Sequence, residues 1–265
     1  MSFPYQRVLV LGATSGIGEA LATRLVQEGS FVIVAGRRKE KLDSFVSQHG
    51  KGKAAAMQLD VTRLGDIPSF TSSVIEAHPD LDCIILNSGI QRGFDFSKPA
   101  SIDLSVIEEE FNTNYISYIH LLTAFLPFFQ EKKSQSAMVF TSSGLGLVPM
   151  VRCPNYCATK AALHQFVLTL REQLKEYPIK IMEIMPPSVR TELHDEKHQP
   201  DIKKGREIGM PLDEFIEGAY QGLVAGQNDI PVGLAQDWYQ AFEPQRQQKF
   251  REATETMSKM MSQHT

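Results

Sequence analysis

Cysteines and long apolar stretches are scarce in this 265-residue chain. The three cysteines, Cys83, Cys153 and Cys157, form neither an even set nor a CxxC pair. This excludes a disulfide framework and indicates reduced thiols, so we expect a cytoplasmic protein. The most apolar stretch, residues 121–129, is interrupted by a threonine and a proline and is far shorter than the roughly 18 residues that cross a membrane. We therefore predict no contact with a membrane.

A large excess of charge of one sign is also missing. Lysine and arginine number 27 against 31 aspartates and glutamates, whereas a nucleic-acid-binding face is strongly basic. The seven histidines are scattered, without HxxxH or His/Cys/carboxylate ligand spacing, so we expect neither a nucleic acid nor a metal. With 42% apolar and 22% charged residues, the composition is that of a soluble globular domain and excludes a disordered or fibrous chain.

What the sequence does contain is an alternation of two patterns. Short runs of four to seven residues are apolar throughout, as are strands buried on both faces of a parallel sheet. Longer segments with apolar residues at helical spacing lie between them. This alternation predicts an α/β doubly wound parallel sheet, the Rossmann fold. The predicted strands are 8–11, 31–35, 54–59, 83–86, 137–141 and 179–185, and the predicted helices include 40–48, 66–77, 105–130 and 156–176.

The last third of the chain has a different character. Residues 192–212 are polar, charged and interrupted by glycine and proline, so we expect a substrate lid that is disordered without ligand and closes over it. Residues 213–265 predict a helix, an edge strand around Pro231, which cannot donate a ladder hydrogen bond, and one or two polar helices. Residues 7–191 then form the cofactor-binding and catalytic core of a single domain.

Glycines cluster where the first predicted strand meets the first predicted helix. The segment Gly12-Ala13-Thr14-Ser15-Gly16-Ile17-Gly18 combines a tight turn, backbone that can approach a pyrophosphate, and a helix amino terminus that attracts anions. Its spacing is GxxxGxG rather than GxGxxG. A glycine turn without a ligand is the alternative. The position favours a dinucleotide-binding loop with contacts from Gly12, Ser15, Gly16, Ile17 and Gly18.

The second predicted strand ends in Gly36-Arg37-Arg38. In dinucleotide-binding folds, a carboxylate near this point hydrogen-bonds the adenosine ribose, and an arginine accommodates a 2′-phosphate. Here glycine replaces the carboxylate, and two planar guanidinium forks that suit a phosphate follow. A solvated basic helix start is the alternative explanation. Because the carboxylate is missing, we favour NADP(H) as the cofactor, held by Arg37 and Arg38.

A tyrosine and a lysine four residues apart, Tyr156 and Lys160, would be adjacent on one helix face. Chance supplies such pairs, but Ser143 ends a predicted strand upstream and Asn114 lies in the preceding helix. A phenol donates protons at neutral pH, and a nearby ammonium is expected to lower its pKa toward the working range. The serine could hold a substrate oxygen, and the asparagine could order a water. Taken singly, each could equally be a structural polar group.

Further motifs complete a family pattern. The chain resembles the short-chain dehydrogenase/reductase family over roughly residues 7–191 and, within it, the DltE-like oxidoreductases. Besides the glycine loop and the Tyr–Lys pair, the resemblance rests on Asp60-Val61, Asn87-Ser88-Gly89-Ile90 and Pro186–Thr191. It implies a homodimer or homotetramer and a catalytic tetrad of Asn114, Ser143, Tyr156 and Lys160.

The resemblance also implies cofactor contacts. Asp60 and Val61 would border the adenine, and Asn87 and Gly89 would line the cleft. The tetrad and the segment after the sixth predicted strand would supply the other contacts, which are Tyr156, Lys160, Pro186, Val189 and Thr191. Four positions depart from the family's usual residues without touching the tetrad: Leu11, Leu86, Ser88 and Pro187. Of these, Leu11 removes a hydroxyl that often braces the loop near Asn87.

These residues predict an NADPH-dependent carbonyl reductase, in which hydride passes to a ketone or aldehyde carbon while Tyr156 protonates the oxygen. The predicted pocket for a small-to-medium hydrophobic substrate comprises Ser143, Leu145, Met150, Arg152 and Tyr156. Arg152 could bind a carboxylate or phenolate of the substrate, or could face water. The alternatives are an imine or enone reductase and a non-catalytic NADP(H)-binding regulator.

Aromatic residues are concentrated in residues 121–129 and, just before them, at Phe111, Tyr115 and Tyr118. Core packing and a seam between subunits explain this concentration equally well.

Overall fold

The computed structural model describes residues 3–262 and contains one seven-stranded sheet in that part of the chain. Every neighbouring pair of strands is parallel, and the order is β3-β2-β1-β4-β5-β6-β7. The predicted doubly wound parallel sheet in a single domain is confirmed. The strands are β1 (Arg7–Leu11), β2 (Phe31–Gly36), β3 (Ala54–Gln58), β4 (Cys83–Leu86), β5 (Ser136–Thr141), β6 (Ile179–Met185) and β7 (Asp229–Pro231).

Helices pack against both faces of this sheet. One face is covered by the first, second and seventh helices, and the other by the third, fifth and sixth. The helices of the described chain are α1 (Gly16–Gln27), α2 (Lys39–His49), α3 (Ile67–Ala77), α4 (Leu104–Phe111), α5 (Ser117–Glu131), α6 (Pro154–Gln173), α7 (Leu212–Val224) and α8 (Leu234–Ser262). None of them is long and apolar enough to span a membrane.

The apolar strands supply two separate cores. Because successive side chains of a strand point to opposite faces, β1 places Val8 and Val10 in one core and Leu9 and Leu11 in the other. All four side chains are fully buried. This explains why β1 is apolar from Val8 to Leu11 instead of alternating with polar residues.

The strand order reverses beside β1. The chain runs outward from β1 to β2 and β3 and then returns to β4, where Leu86 pairs with Leu11 of β1. The connections that leave β1 and β4 therefore diverge to opposite sides of the sheet. Their divergence opens a crevice at the carboxyl ends of the strands, which is where open α/β sheets bind ligands.

The helix predicted over 105–130 is interrupted in the structure. After α4, residues Asn112–Ile116 form a π-helical turn, and α5 follows directly. Apolar spacing alone does not distinguish a continuous α-helix from one with a wider turn inside it. Such turns are rare and frequently occur at functional sites, and this one carries Asn114.

The last third of the chain contains the predicted edge strand and one long helix. β7 lies at the edge of the sheet, as Pro231 predicts, and the last polar region forms the single helix α8. Residues 263–265 of the predicted carboxyl-terminal segment lie outside the described residues. Tyr118, Phe125 and Phe129 are fully buried beneath the sheet, so core packing accounts for these aromatic residues.

Candidate active site

A cavity of about 570 Å³ occupies the crevice at the carboxyl ends of the strands. Most of the residues predicted from sequence line its walls. They are Gly12, Ser15, Gly16, Ile17, Arg37, Arg38, Asp60, Val61, Asn87, Gly89, Ser143, Leu145, Met150, Tyr156, Lys160, Pro186, Val189 and Thr191. Gly18, Asn114 and Arg152 are not among the residues that line it.

The glycine loop connects β1 to α1 through close backbone contacts. Gly12 has a φ of +72°, and a Cβ at this position would lie 2.7 Å from the backbone nitrogen of Ser88. A Cβ at Gly18 would lie 2.3 Å from the carbonyl oxygen of Gly12. Gly18 therefore shapes the loop from behind the cavity wall. No side chain caps the start of α1 at Gly16, which leaves its first N–H groups available to an anion.

The loop after β4 is braced by a tyrosine. The hydroxyl of Tyr118, a fully buried residue of α5, donates a 2.7 Å hydrogen bond to the carbonyl oxygen of Ser88. Leu11 cannot supply a brace here because it has no hydroxyl. The hydroxyl of Tyr118 therefore supplies the brace that Leu11 cannot give to this loop.

Arg38 is held in place by side chains of the glycine loop and of the segment after β6. Its guanidinium donates to the hydroxyl of Thr14 at 2.9 Å and to that of Ser15 at 2.6 Å, and its Nη1 lies 2.8 Å from a carboxylate oxygen of Glu192. Arg37 is exposed, and its carbonyl oxygen accepts a hydrogen bond from Gln58. The two arginines therefore differ, because only Arg38 is fixed in position.

Asp60 orders the turn that follows β3. One of its carboxylate oxygens accepts hydrogen bonds from the backbone N–H of Thr62 at 3.0 Å and from its hydroxyl at 2.7 Å. The adjacent Val61 is buried in the wall of the cavity. The carboxylate is not part of a metal cluster: within residues 3–262, no three His, Cys, Asp or Glu side chains are grouped to hold an ion.

Asn114 lies behind the cavity and is completely buried. Its Oδ1 accepts from the backbone N–H of Ile90 and its Nδ2 donates to the carbonyl oxygen of Ile90, both at 2.9 Å. Nδ2 also donates to the hydroxyl of Thr159 on α6 at 3.1 Å. The amide thus joins the π-helical turn to the loop after β4 and to the helix of Tyr156. The water-ordering role expected from sequence stays a prediction.

Ser143 and Tyr156 meet at the wall between β5 and α6. The Ser143 hydroxyl accepts from the backbone N–H of Leu145 at 3.1 Å, and both Ser143 and Tyr156 are buried. Burial raises the pKa of Tyr156 above its usual range, and a hydrogen bond with Ser143 only partly opposes this. The phenol is therefore protonated at neutral pH.

Lys160 is the buried cation of the site. Its Nζ donates a 2.8 Å hydrogen bond to the carbonyl oxygen of Thr141 and lies 5.7 Å from the centre of the Tyr156 ring. Burial lowers the pKa of Lys160 to about 8, while the negative charges of Glu183 and Glu110 act in the opposite direction.

The expectation that Lys160 lowers the pKa of Tyr156 differs from what the structure gives. Both groups are buried, and desolvation disfavours the phenolate and the ammonium alike. The hydrogen bond of Nζ is made with a backbone carbonyl of β5. The arrangement suits a tyrosine that donates its proton.

α8 contributes to the lining of the cavity beside two of the residues predicted to contact substrate. Leu145 and Met150 line the cavity, and so do Leu234 and Trp238 of α8. The substrate contacts themselves stay a prediction. A Cβ at Gly144 would lie 3.1 Å from the Trp238 ring, so the loop that carries Ser143 packs directly on α8. The polarity of α8 hid its apolar contribution from sequence analysis.

Arg152 does not present a free charge to the cavity. Its Nε and Nη2 donate to the carboxylate of Asp201 at 2.6 and 2.7 Å, and its Nη1 donates to Gln199 at 2.6 Å. The substrate contact predicted for Arg152 is therefore not supported by its geometry. In the sequence, Arg152 is one cation among apolar residues. Its partner Asp201 lies 49 positions later, so the local pattern does not reveal the ion pair.

Side-chain contacts hold residues 192–212 in the structure, whereas the sequence predicts a segment that is disordered without ligand. Gln199 is buried and donates to the carbonyl oxygen of Leu193, and Arg206 forms an ion pair with Asp195. Local contacts among its charged side chains, together with Arg152, hold this segment. The segment is rich in polar and charged residues, as disordered chains are, but here these residues bind one another.

Several residues near the cavity were not singled out from sequence. Thr14, Arg92, His194 and Trp238 line the walls, and His164 lies farther along the helix of Tyr156 and Lys160. A signal existed for His164, because it continues the four-residue spacing of Tyr156 and Lys160. The others depend on loop geometry that one sequence does not reveal.

Comparison with known proteins gives a consistent result. Residues 6–201 match the family model described as short chain dehydrogenase. The chain is 33% identical to an uncharacterized oxidoreductase, DltE, of Bacillus subtilis (strain 168), with 87% of this chain and 89% of the relative covered. It is also 33% identical to the NADP-dependent 3-hydroxy acid dehydrogenase YdfG of Salmonella typhi, over 68% of this chain and 71% of the relative.

Solved structures include a close match in fold. A short-chain dehydrogenase from Sphingobium yanoikuyae, solved in complex with NADPH, superimposes with a TM-score of 0.80 at 25% identity. The match covers 93% of this chain and 95% of that chain.

Proposed function

This chain belongs to the short-chain dehydrogenase family of oxidoreductases, and from that premise we propose that it uses NADP(H) to reduce a ketone or an aldehyde. The observation that carries the proposal is that Ser143, Tyr156 and Lys160 line the same cavity as the glycine loop and Arg38. Hydride transfer requires that cofactor and substrate be held side by side, and a shared cavity meets that requirement.

The residues present fit NADP(H). Glycines at positions 12 and 18 leave no room for a Cβ and permit the tight turn that a pyrophosphate-binding loop needs. Arg38, fixed by Thr14 and Ser15, offers a charged donor for a 2′-phosphate. The NADP-dependent relative and the NADPH complex support this choice. When bound, the nicotinamide supplies the hydride. The other proposed contacts are Arg37, Asp60, Val61, Asn87, Gly89, Pro186, Val189 and Thr191.

Tyr156 is the proposed general acid. As hydride adds to the carbonyl carbon, the phenol gives its proton to the carbonyl oxygen, and the raised pKa keeps that proton in place until then. Ser143 holds the same oxygen by a hydrogen bond. The ammonium of Lys160 stabilises the negative charge that the phenol oxygen gains. Asn114 positions the loop after β4 and the backbone of α6.

The proposed substrate is a small-to-medium hydrophobic carbonyl compound. Leu145, Met150, Leu234 and Trp238 supply apolar wall, and residues 192–212 form the proposed lid. An imine or enone reductase would use the same residues, so only a substrate panel separates these reactions. A non-catalytic regulator would need the cofactor site but not the paired phenol and ammonium.

We also propose a cytoplasmic homodimer or homotetramer. The three cysteines are buried free thiols, which suits a reducing compartment. An apolar groove between α3 and α5, with Ile67, Ile75, Ile119 and Ala124 in its lining, could contribute to a subunit contact. Sedimentation of the purified protein measures the oligomeric state.

The function is tested by measuring the loss of NADPH absorbance in the presence of each candidate substrate. The panel contains ketones, aldehydes, imines and enones of graded size. We expect turnover with at least one apolar carbonyl compound and preference for NADPH over NADH. Oxidation of NADPH with imines or enones alone, and not with ketones or aldehydes, would replace the carbonyl assignment. Binding of NADPH without turnover on any class would favour the regulator.

A further inference from the structure

The active-site face of α6 continues past Lys160 to another buried titratable side chain. Tyr156, Lys160 and His164 follow one another at intervals of four residues and therefore lie along one side of the helix. His164 is almost fully buried, and it plays no part in the proposed chemistry. Its surroundings show what it does.

His164 contacts a buried carboxylate on β6, the strand next to the edge strand β7. Glu183 lies on β6 between β5 and β7, and its side chain is completely buried. It lies 2.9 Å from Nδ1 of His164 and accepts a hydrogen bond from the hydroxyl of Ser142, the residue before Ser143. A charged group in such a position is rare unless it is paired.

The outer side of His164 reaches α8. Its Nε2 lies 3.1 Å from a carboxylate oxygen of Glu243, which in turn accepts from Nε and Nη2 of Arg246 at 2.7 and 2.8 Å. Nη2 of Arg246 also lies 2.6 Å from Nε2 of His164. A continuous chain of charged groups thus runs from the sheet interior beside the site to the partly exposed Arg246.

We propose that Glu183 is a positioning residue that keeps Lys160 in its ammonium form, and that His164 holds Glu183 in place and ties it to α8. The inference rests on the proposed function, because Lys160 matters as an ammonium only if it serves a cofactor and Tyr156. The charged and titratable groups around Lys160 are Glu183, Glu110, Tyr118 and Tyr156, with His164 one turn farther along α6. Those around His164 are Glu183, Glu243 and Arg246.

Glu183 and Lys160 contact consecutive residues at the end of β5. Nζ of Lys160 donates to the carbonyl oxygen of Thr141, and the hydroxyl of Ser142 donates to the carboxylate of Glu183.

Burial lowers the pKa of Lys160 to about 8, and Glu183 is the larger of the two charges that oppose this change. Glu110 is already engaged by the backbone N–H of Arg92 and by Asn155, at 2.7 Å each. Near neutral pH, a small change in the field of Glu183 therefore changes the fraction of protein that carries the ammonium.

His164 contributes a charge of its own. Burial would lower the pKa of His164, but hydrogen bonds with Glu183 and Glu243 outweigh burial and raise it to about 9. The imidazolium balances part of the charge of Glu183. Removing Glu183 and removing His164 should therefore move the titration of Lys160 in opposite directions, which a purely structural cluster would not do.

The test compares the wild type with Glu183→Gln, which keeps the size and hydrogen-bonding capacity of the side chain and removes its charge. NADPH affinity by fluorescence and kcat/KM are each measured from pH 6 to 9.5. NADPH affinity and kcat/KM should both fall as the pH rises and Lys160 loses its proton. For Glu183→Gln we expect the midpoint of this fall to lie about one pH unit lower than in the wild type. That shift weakens NADPH binding about fivefold at pH 8 and leaves it within about twofold at pH 6.

Glu243→Gln is the matched control, since it disturbs the outer end of the chain and leaves Glu183 and Lys160 intact. We expect lower thermal stability without the downward shift. If Glu183→Gln does not fold, His164→Gln gives the same test with the opposite sign. The glutamine amide and Ser142 can still donate to Glu183, so the variant removes only the positive charge, and we expect an upward shift. Superimposable pH profiles for the folded variants and wild type would overturn the inference. A wild type that neither binds nor oxidises NADPH would instead overturn the proposed function.

Discussion

Arg38 and Glu192 form an ion pair that joins two walls of the cavity, with Nη1 of the arginine 2.8 Å from a carboxylate oxygen of the glutamate. Arg38 lies just after β2, and Glu192 lies in the segment that follows β6. The guanidinium of Arg38 lowers the pKa of Glu192 below its usual value, so the carboxylate is ionised at neutral pH. A 2′-phosphate that binds Arg38 must therefore compete with Glu192.

Arg38→Ala should separate the two nicotinamide cofactors. A charge-assisted contact contributes about 1.5–3 kcal/mol, so we expect the Kd for NADPH to rise roughly ten- to hundredfold while that for NADH changes little. Fluorescence titration with both cofactors measures this. Equal losses for the two cofactors would show that the variant loosens the glycine loop, and no loss would place the phosphate elsewhere.

Glu192→Gln is the counterpart of that variant. Removing the competing carboxylate should tighten NADPH binding by up to about fivefold, the range of a partly exposed ion pair. NADH binding should stay the same. Weaker NADPH binding in this variant would mean that the glutamate orients Arg38 for the phosphate.

Tyr156→Phe tests the general acid. The ring keeps its packing and loses the hydroxyl that gives up a proton, so we expect turnover to fall by about 10²–10⁴ with NADPH binding retained. Tyr239→Phe serves as the control, because this tyrosine donates to Asp229 at the edge of the sheet. Near-normal turnover of Tyr156→Phe would refute the mechanism.

The contacts of His164 with Glu183 and Glu243 make stability depend on pH. The raised pKa of His164, about 9 against a usual 6.5, gives a contribution that is complete below pH 6.5 and is lost as pH rises through 9. The lowered pKa of Glu243, about 2 against 4.5, gives one that is present above pH 4.5 and is lost as pH falls through 2. Both contributions are complete between pH 4.5 and 6.5.

We therefore expect the Tm of the wild type to fall between pH 6.5 and 9, and His164→Gln to reduce that slope. Differential scanning calorimetry across this range measures both. Parallel curves for the two proteins would show that other groups control the alkaline loss of stability.

Arg152→Ala should loosen residues 192–212, because it removes the partner of Asp201 and Gln199. We expect faster proteolytic cleavage in this segment. We also expect kcat/KM to fall about two- to fivefold for neutral and anionic ketones of matched size alike. A loss confined to the anionic ketones would restore Arg152 as a substrate contact.

The fold and most of the cavity wall could be predicted from sequence because they depend on local patterns. A run such as Val8–Leu11 is apolar at every position, and this local pattern is enough to predict a strand buried on both faces of a sheet. The glycine loop and the Tyr156–Lys160 pair carry their geometry in their spacing. Such features need no knowledge of distant parts of the chain.

The remainder depends on contacts between residues far apart in the sequence. Arg152 finds Asp201 49 positions away, and His164 finds Glu243 in a helix whose composition suggested only a solvated surface. The direction of the pKa change at Tyr156 depends on how deeply the phenol is buried, which no motif encodes. Pairing and depth are properties of the assembled chain.

The packing of Trp238 and Ala235 on Gly144 couples the proposed substrate pocket to the position of Ser143, the residue proposed to hold the carbonyl oxygen. The tryptophan is both a wall of the pocket and a support for the loop of Ser143. A smaller side chain at position 238 would admit bulkier molecules and would, by the same change, release the serine that must stay in register with Tyr156. Laboratory evolution toward larger substrates will therefore encounter a trade-off between scope and turnover, and escape from it requires a compensating change in the loop itself.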